Sequence, residues 1–308
     1  MTLIIPNALP ALTSAQALIE PFASRYPRLV HLFNAKKAQP EAWLQSEQGC
    51  TPTEGLRLAS LGYQPAPGTP IGAGLGPLQA DVTDKDQVVW VAELCATLVS
   101  QERTTALPLS LIEASPDEIT ALEASAHPLF SANNDALDIE PLGGGLWRVR
   151  VDLPATAKTI SPLALMGQDL GDWWPTGHEW RSWRKRINEI QMTWHDHPIN
   201  LAREQRGLPA INNVWLYGGG KGFTPRQTAQ EQWLDTLSLA AWRGDWAGWL
   251  DAWQGIETTL LAAEPEREII LTADDRIIRL NNAPKRWWQN LFASRQQDAW
   301  RHWWLNHN

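Results

Sequence analysis

The residues best suited to chemistry gather in one stretch, Glu189 to Gly222, "EIQMTWHDHPINLAREQRGLPAINNVWLYGGGKG". His195 and His197 stand two apart around Asp196. Such a pair can ligate a metal if a third ligand arrives from elsewhere, whereas His197 or Asp196 can equally cap a helix opening at Pro198. Arg203 and Arg206, three apart on a short predicted helix, can grip one carboxylate or phosphate together or stand solvated. Asn200, Asn212 and Asn213 suit either a hydroxylated ligand or unsatisfied loop backbone. The run Gly218-Gly219-Gly220-Lys221-Gly222 has neither Walker A spacing nor the dinucleotide G-x-G-x-x-G. It leaves a general option: backbone N–H groups and Lys221 meeting an anion between a strand and a helix, or glycines easing a tight exit. Further on, Asp274 and Asp275 follow the apolar "EIILTA". Carboxylates there are weak candidates for metal ligands, and the same pair is ordinary turn chemistry ahead of "RIIRL", the reading favoured here.

These residues need elements to place them. Trp180, Trp183, Ile187, Ile190 and Trp194 recur at spacings of three and four, so a long helix from Gly177 to His195 is predicted with one apolar stripe. Pro198 and Gly207 bracket a short helix, and "NNVWLYGGG" reads as a strand ending in the glycine loop. Thr224-Pro225-Arg226-Gln227 reads as a helix cap. Upstream, "LIIP" is a buried strand, helices are expected over 14–25 and near 40–46, and 64–78 is an irregular Pro/Gly connection. "QVVWVAELCATLV" is ambiguous between strand and helix. Ser115-Pro116-Asp117-Glu118 is a capping box, and Gly143–Gly145 joins two strands. "EREIILTADDRIIRL" is strand, turn and strand, and a Trp-rich helix is expected from Pro284. Alternation at both ends with a hairpin-like middle predicts an α/β core over 1–80 and 207–308, interrupted by a smaller α+β region over 81–206.

The 308 residues can bury a real core, and 44% hydrophobic with 19% charged residues is a soluble globular balance. A net charge of −8 provides no general attraction for nucleic acid or anionic lipid, so neither is expected as a partner. Two cysteines outside any C-x-x-C pair argue against a disulfide framework or zinc knuckle. No segment reaches the roughly 20 apolar residues that cross a bilayer, and the N-terminal sequence lacks a basic leader, so a cytoplasmic location is expected. The 19 tryptophans can stack on sugars or bases, but large rings packing helices onto a core is the preferred reading.

"HDHPINLAREQRGLPAINNVWLYGGG" resembles a stretch of the archaeal-type cofactor-independent phosphoglycerate mutases. With "WRSWRKRINEIQM" added, the match is similar to the bacterial RpfE-type regulatory proteins, described as phosphoglycerate mutase-like. The resemblance covers Trp180 to Gly220. It implies an alkaline-phosphatase-like α/β core sheet flanked by helices, with an inserted substrate domain. It also implies two divalent metals (Mn or Zn), a Ser or Thr nucleophile, and several Asp and His ligands. This chain departs from that pattern. "LIIPNA" puts Pro6 and Asn7 where the first core strand would end in aspartate. "LTADDRIIRL" keeps Asp274 but has Asp275 in place of a histidine, and the next histidine is His302. Thr51 and Thr53 are the only guess at a nucleophile, and a hydroxyl without metals is not activated.

The expectation is therefore a pseudoenzyme without a cofactor. It would hold a small anionic metabolite or a protein partner in a regulatory role through His195, His197, Asn200, Arg203, Arg206, Asn212 and Lys221. The alternatives are an active metal-dependent phosphoglycerate mutase or phosphohydrolase, and an interaction module. In the last, tryptophans 287, 288, 300, 303 and 304 do not fit one stripe and leave some rings exposed to a partner.

Overall fold

The described residues form two β-sheets, each built with its own helices, and each belongs to a separate compact unit. The structure, a computed structural model, describes residues 2–100, 102–131, 137–154, 156–227, 230–264, 266–282 and 299–305. In chain order the first elements are β1 (Thr2–Ile5), α1 (Leu12–Arg25), α2 (Pro27–Ala35) and β2 (Lys36–Ala42). There follow α3 (Gln45–Gln48), α4 (Pro52–Ser60), α5 (Leu75–Gln79), β3 (Val88–Val99) and β4 (Thr104–Pro108). Then come α6 (Pro116–Ser131), β5 (Asp138–Gly143), β6 (Leu146–Arg150), α7 (Pro162–Leu165) and α8 (Leu170–Trp173). Next are α9 (Arg181–His195), α10 (Pro198–Gln205), β7 (Asn213–Lys221) and β8 (Glu231–Trp233). The chain continues through α11 (Ser238–Arg243), α12 (Trp246–Ala262), β9 (Ile269–Thr272), β10 (Arg276–Asn282) and α13 (Ala299–Leu305).

The first unit takes residues 1–44 and 227–308. Its sheet runs β2-β10-β9-β1-β8, with β1 parallel to both β8 and β9 and β10 antiparallel to β9 and β2. The parallel strands are the near-continuous apolar runs "LII" and "IILT", as burial on both faces demands. The core centres on Phe22, with Trp304 at 4.9 Å, Trp253 edge-on at 5.1 Å and Trp300 at 5.8 Å between ring centroids. Residues 36–42 form an edge strand, not the helix expected over 40–46. Antiparallel pairing with β10 overrides a weak local preference, and an edge tolerates Pro40, which has no N–H to donate. The helix expected at Thr224 is absent: 222–227 is irregular and α11 opens only at Ser238.

The second unit is the continuous stretch 45–226. Its antiparallel sheet runs β4-β3-β6-β5, and β7 pairs with the other edge of β3. The ambiguous segment is thus a strand, and the central one. Alternation splits its side chains between two faces. Trp90, Ala92, Leu94 and Ala96 join Trp147, Val214 and Leu216 in a core under Leu122, Phe130, Trp183, Ile190 and Trp194 of α6 and α9. The predicted stripe from Trp180 to Trp194 is buried throughout. The boundaries at 44/45 and 226/227 differ from the expected 80/81 and 206/207. The cause is β7, expected in the core sheet: it forms a ladder with β3, and α5 packs on both strands. The mixed α/β class with helix-flanked sheets is the one expected. Among the described residues, no helix is long and apolar enough to cross a membrane.

Candidate functional site

The polar residues read from the sequence are largely engaged with the fold itself. His197 caps α10, its Nδ1 accepting the Ile199 N–H at 3.3 Å. His195 lies on the exposed end of α9, 3.9 Å from an equally exposed Asp196, so the two histidines do not converge on a metal position. Asn200, 3% exposed, donates to the carbonyls of Trp194 (2.9 Å) and Ile211 (2.8 Å) and accepts the Ile211 N–H (2.9 Å). It ties the end of α9 to the approach of β7. Asn212 imitates a strand residue, accepting from Thr97 N–H at 2.7 Å and donating to its carbonyl at 3.1 Å. Lys221 is exposed at the end of β7.

Arg203 is wholly buried. It donates to the carbonyls of Pro209 (2.9 Å) and Glu113 (2.8 Å) and to Glu118 Oε2 (2.9 Å), while half-exposed Arg206 takes the other Glu118 oxygen. Glu118 also closes the predicted capping box with Ser115, accepting its N–H at 2.8 Å. Burial alone would raise the Glu118 carboxyl. The Ser115 N–H and the Arg206 and Arg203 guanidiniums outweigh it and hold the group below its ordinary value. The two arginines do share one carboxylate, as their spacing allowed, but it is one that the chain supplies.

The glycine run is not a loop. Gly218, Gly219 and Gly220 are buried inside β7, and no helix follows. Gly219 has φ +87°, and a Cβ there would overlap the Trp90 ring. At Gly218 (φ +92°) a Cβ would lie 2.8 Å from the Gly76 backbone. Close packing requires these glycines, not an anion. Thr51 is likewise the N-cap of α4: it accepts the Glu54 N–H at 3.2 Å, and Glu54 Oε2 accepts the Thr51 N–H at 2.8 Å. In the other unit Asp274 and Asp275 form the β9–β10 turn. Asp274 is exposed and Asp275 pairs with buried Arg276 at 2.6 Å. Among the described residues, no three His, Cys, Asp or Glu side chains come together in a way that could hold a metal ion.

A different feature of the 45–226 unit is a cleft of about 760 Å³ lined by Trp173, Trp174, Trp180, Lys158, Asp172 and Glu179, among others. Its walls are held from behind. Asp169 caps the short α8, accepting the Gly171 N–H at 2.9 Å. The Trp173 indole donates to Gln168 Oε1 at 2.7 Å, and Gln168 is itself fixed by donation to Gln45 Oε1 and the Ala164 carbonyl, both at 2.7 Å. Arg184 Nη1 donates to the carbonyls of Pro175 (3.0 Å) and Gly177 (2.7 Å), fastening the loop that follows the tryptophans. Trp180 is buried edge-on against Trp90. Trp173 and Trp174 are only half-buried. Of the five tryptophans from 173 to 194, the three in the predicted stripe are core and the two before it line the cleft. The available sequence signal was that Trp173 and Trp174 precede a proline and fall outside the helical period.

No family model and no curated protein matches the chain. Among solved structures it is similar to the PH0037 protein from Pyrococcus horikoshii, at 13% identity and TM-score 0.44, with 92% of this chain and 88% of that one covered. It is also similar to the cofactor-independent phosphoglycerate mutase from Thermoplasma acidophilum DSM 1728, at 13% identity and TM-score 0.30, with 92% and 90% covered. At these TM-scores neither likeness carries an argument about chemistry, which rests on the residues.

Proposed function

We propose that the chain binds a small hydroxylated ring ligand with at most one anionic group in the cleft of Trp173 and Trp174. The role is regulatory and does not involve two-metal phosphoryl transfer. One observation carries this reading: a cleft of ligand size with two half-exposed indoles, that of Trp173 fixed by Gln168, beside a loop that Arg184 fastens. Aromatic walls stack on a flat ring, and walls fixed beforehand lose little freedom on binding. Asp172 and Glu179 suit hydroxyl donors, and Lys158 suits one carboxylate or phosphate. Two acids against a single lysine disfavour a multiply phosphorylated ligand. The regulatory part of the reading rests on the resemblance carried by residues 180–220.

Calorimetric titration with a neutral hexose, its sugar acid and its monophosphate tests the proposal. A singly anionic sugar should bind, and Trp174→Ala should weaken it at least about tenfold with stability unchanged. Failure of the whole panel, or binding indifferent to Trp174→Ala, overturns the reading. Phosphoglycerate turnover in added manganese that falls on Asp274→Ala would restore the phosphoryl-transfer alternative.

A further inference from the structure

The face of β3 that points away from the tryptophan core carries Val91, Glu93 and Cys95, opposite Tyr217 and Trp215 of β7. Glu93 opens into a second cleft of about 370 Å³, whose walls include Leu109, Ile112, Ala114, Ile119 and Leu146. Glu93 is the only charged residue among that lining. Its Oε1 accepts the Leu109 N–H at 3.0 Å and its Oε2 lies 3.4 Å from the Tyr217 hydroxyl. That hydroxyl also lies 2.6 Å from Gln79 Oε1. The Tyr217 hydroxyl is thus shared between Gln79 and Glu93, and its contact to Glu93 is the longer of the two.

Among the described residues, no basic side chain pairs with this carboxylate. Glu54 of α4 contributes repulsion, Cys95 is a neighbouring thiol, and Tyr217 is neutral. Arg148, on the same face one step along β6, is taken by Glu140 at 3.6 Å. Glu118, next to the cleft residue Ile119, is neutralised by Arg203 and Arg206. Hydrogen bonds from Leu109 and Tyr217 do not cancel the charge of a carboxylate lining an aliphatic cleft; a proton does, or a cation that brings its own apolar chain.

We propose that this cleft binds a small aliphatic amine, its ammonium on Glu93 and its alkyl chain along Leu109, Ile112, Ile119 and Leu146. Burial pushes the empty Glu93 carboxyl up to about 7, against the Leu109 N–H and Tyr217 hydroxyl that lower it, with Glu54 adding to the rise. Binding of the ammonium displaces that proton, so affinity increases with pH through neutrality.

Titration of the full chain with n-hexylammonium chloride at pH 6 and pH 8 tests this. Binding should be about tenfold tighter at pH 8, following the ionised fraction of a group titrating near 7, and should release a proton detectable from the buffer dependence of the heat. n-Hexanol, of equal length and uncharged, should bind at least about tenfold more weakly at pH 8. Glu93→Gln should abolish the pH dependence and weaken hexylammonium about tenfold or more. Should that variant fail to fold, Ala114→Phe, which fills the cleft and leaves the carboxylate in place, should block binding instead. The proposal is overturned if hexylammonium does not bind, if it binds Glu93→Gln equally, or if hexanol matches it. A lysine peptide that binds where hexylammonium does not would replace the small amine with a protein partner, also overturning it.

Discussion

Arg203 of α10 donates to Glu118 of α6 at 2.9 Å, and the guanidinium is completely shielded from solvent. Residues 85 apart in the chain are thereby joined, with Arg206 pairing to the other oxygen of the same carboxylate. Removing one partner of a buried pair leaves the other charge uncompensated. Arg203→Ala should therefore cost about 3–5 kcal/mol in chemical denaturation, whereas Arg206→Ala, at a half-exposed position, should cost about 0–1 kcal/mol. Because the Glu118 carboxyl is held below its ordinary value, its contribution is present at neutral pH and is lost as pH falls through the folded-state value. Glu118→Gln should remove that acid-side loss. A ligand-gripping role alone would leave unliganded stability unchanged in all three variants.

Glu93 has the opposite sign. Its folded-state value near 7 lies above the ordinary carboxylate value, so folding is favoured at low pH and weakened as pH rises from about 4.5 through 7. The loss is on the order of 3 kcal/mol between pH 5 and 8. Glu93→Gln should flatten this limb of the stability–pH curve, measured by urea midpoints at each pH. Glu54 is raised in the same direction by burial, so a residual slope should persist. A wild-type curve that rises from pH 5 to 8 would contradict this account of both groups.

Gly219→Ala and Gly207→Ala separate packing from backbone strain. Both glycines have positive φ, +87° and +71°, but only at 219 would a Cβ meet a neighbour, the Trp90 ring. Gly207→Ala should cost about 1 kcal/mol, and Gly219→Ala more than about 2 kcal/mol. Equal losses would mean that the ring yields to the added methyl.

Trp300, Trp303 and Trp304 pack into the core of the first unit, and Trp304 alone touches Phe22, Trp249 and Trp300. Of the five rings that could leave some exposed to a partner, these three are buried. Trp287 and Trp288 lie outside the described residues. Trp304→Ala should cost about 3–5 kcal/mol, and deleting 299–308 should abolish the near-ultraviolet dichroism of that core. Met192→Ala, at a side chain 78% exposed, should be neutral to within about 0.5 kcal/mol.

Gln168→Leu probes the binding cleft, which Gln168 itself helps line, through the position of Trp173. The substitution leaves the Trp173 indole N–H without its 2.7 Å acceptor, so the ring loses its fixed position. Affinity for whichever sugar anion binds should fall about fivefold, equivalent to about 1 kcal/mol, with the Trp174 contact intact. An unchanged affinity would place the ligand elsewhere.

Local periodicity and capping chemistry were legible without a structure, because both depend on residues within one helical turn or one pleat. The stripe from Trp180 to Trp194, the Ser115–Glu118 box, the hairpin at Gly143–Gly145 and the turn at Asp274–Asp275 were all determined at that range. The α/β class followed from their order. What residues 36–42 and 88–99 became depended on partners far along the chain, so only tertiary pairing made them strands. The site was less legible still. Spacing correctly put Arg203 beside Arg206, but no local rule could place Glu118 between them or Trp90 against Gly219. Side-chain type and spacing determine what a residue can reach. Which charges and rings the fold leaves available is decided only when distant elements pack, and here that moved the candidate chemistry from the His-Arg-Asn stretch to the Trp173–Trp174 cleft and Glu93.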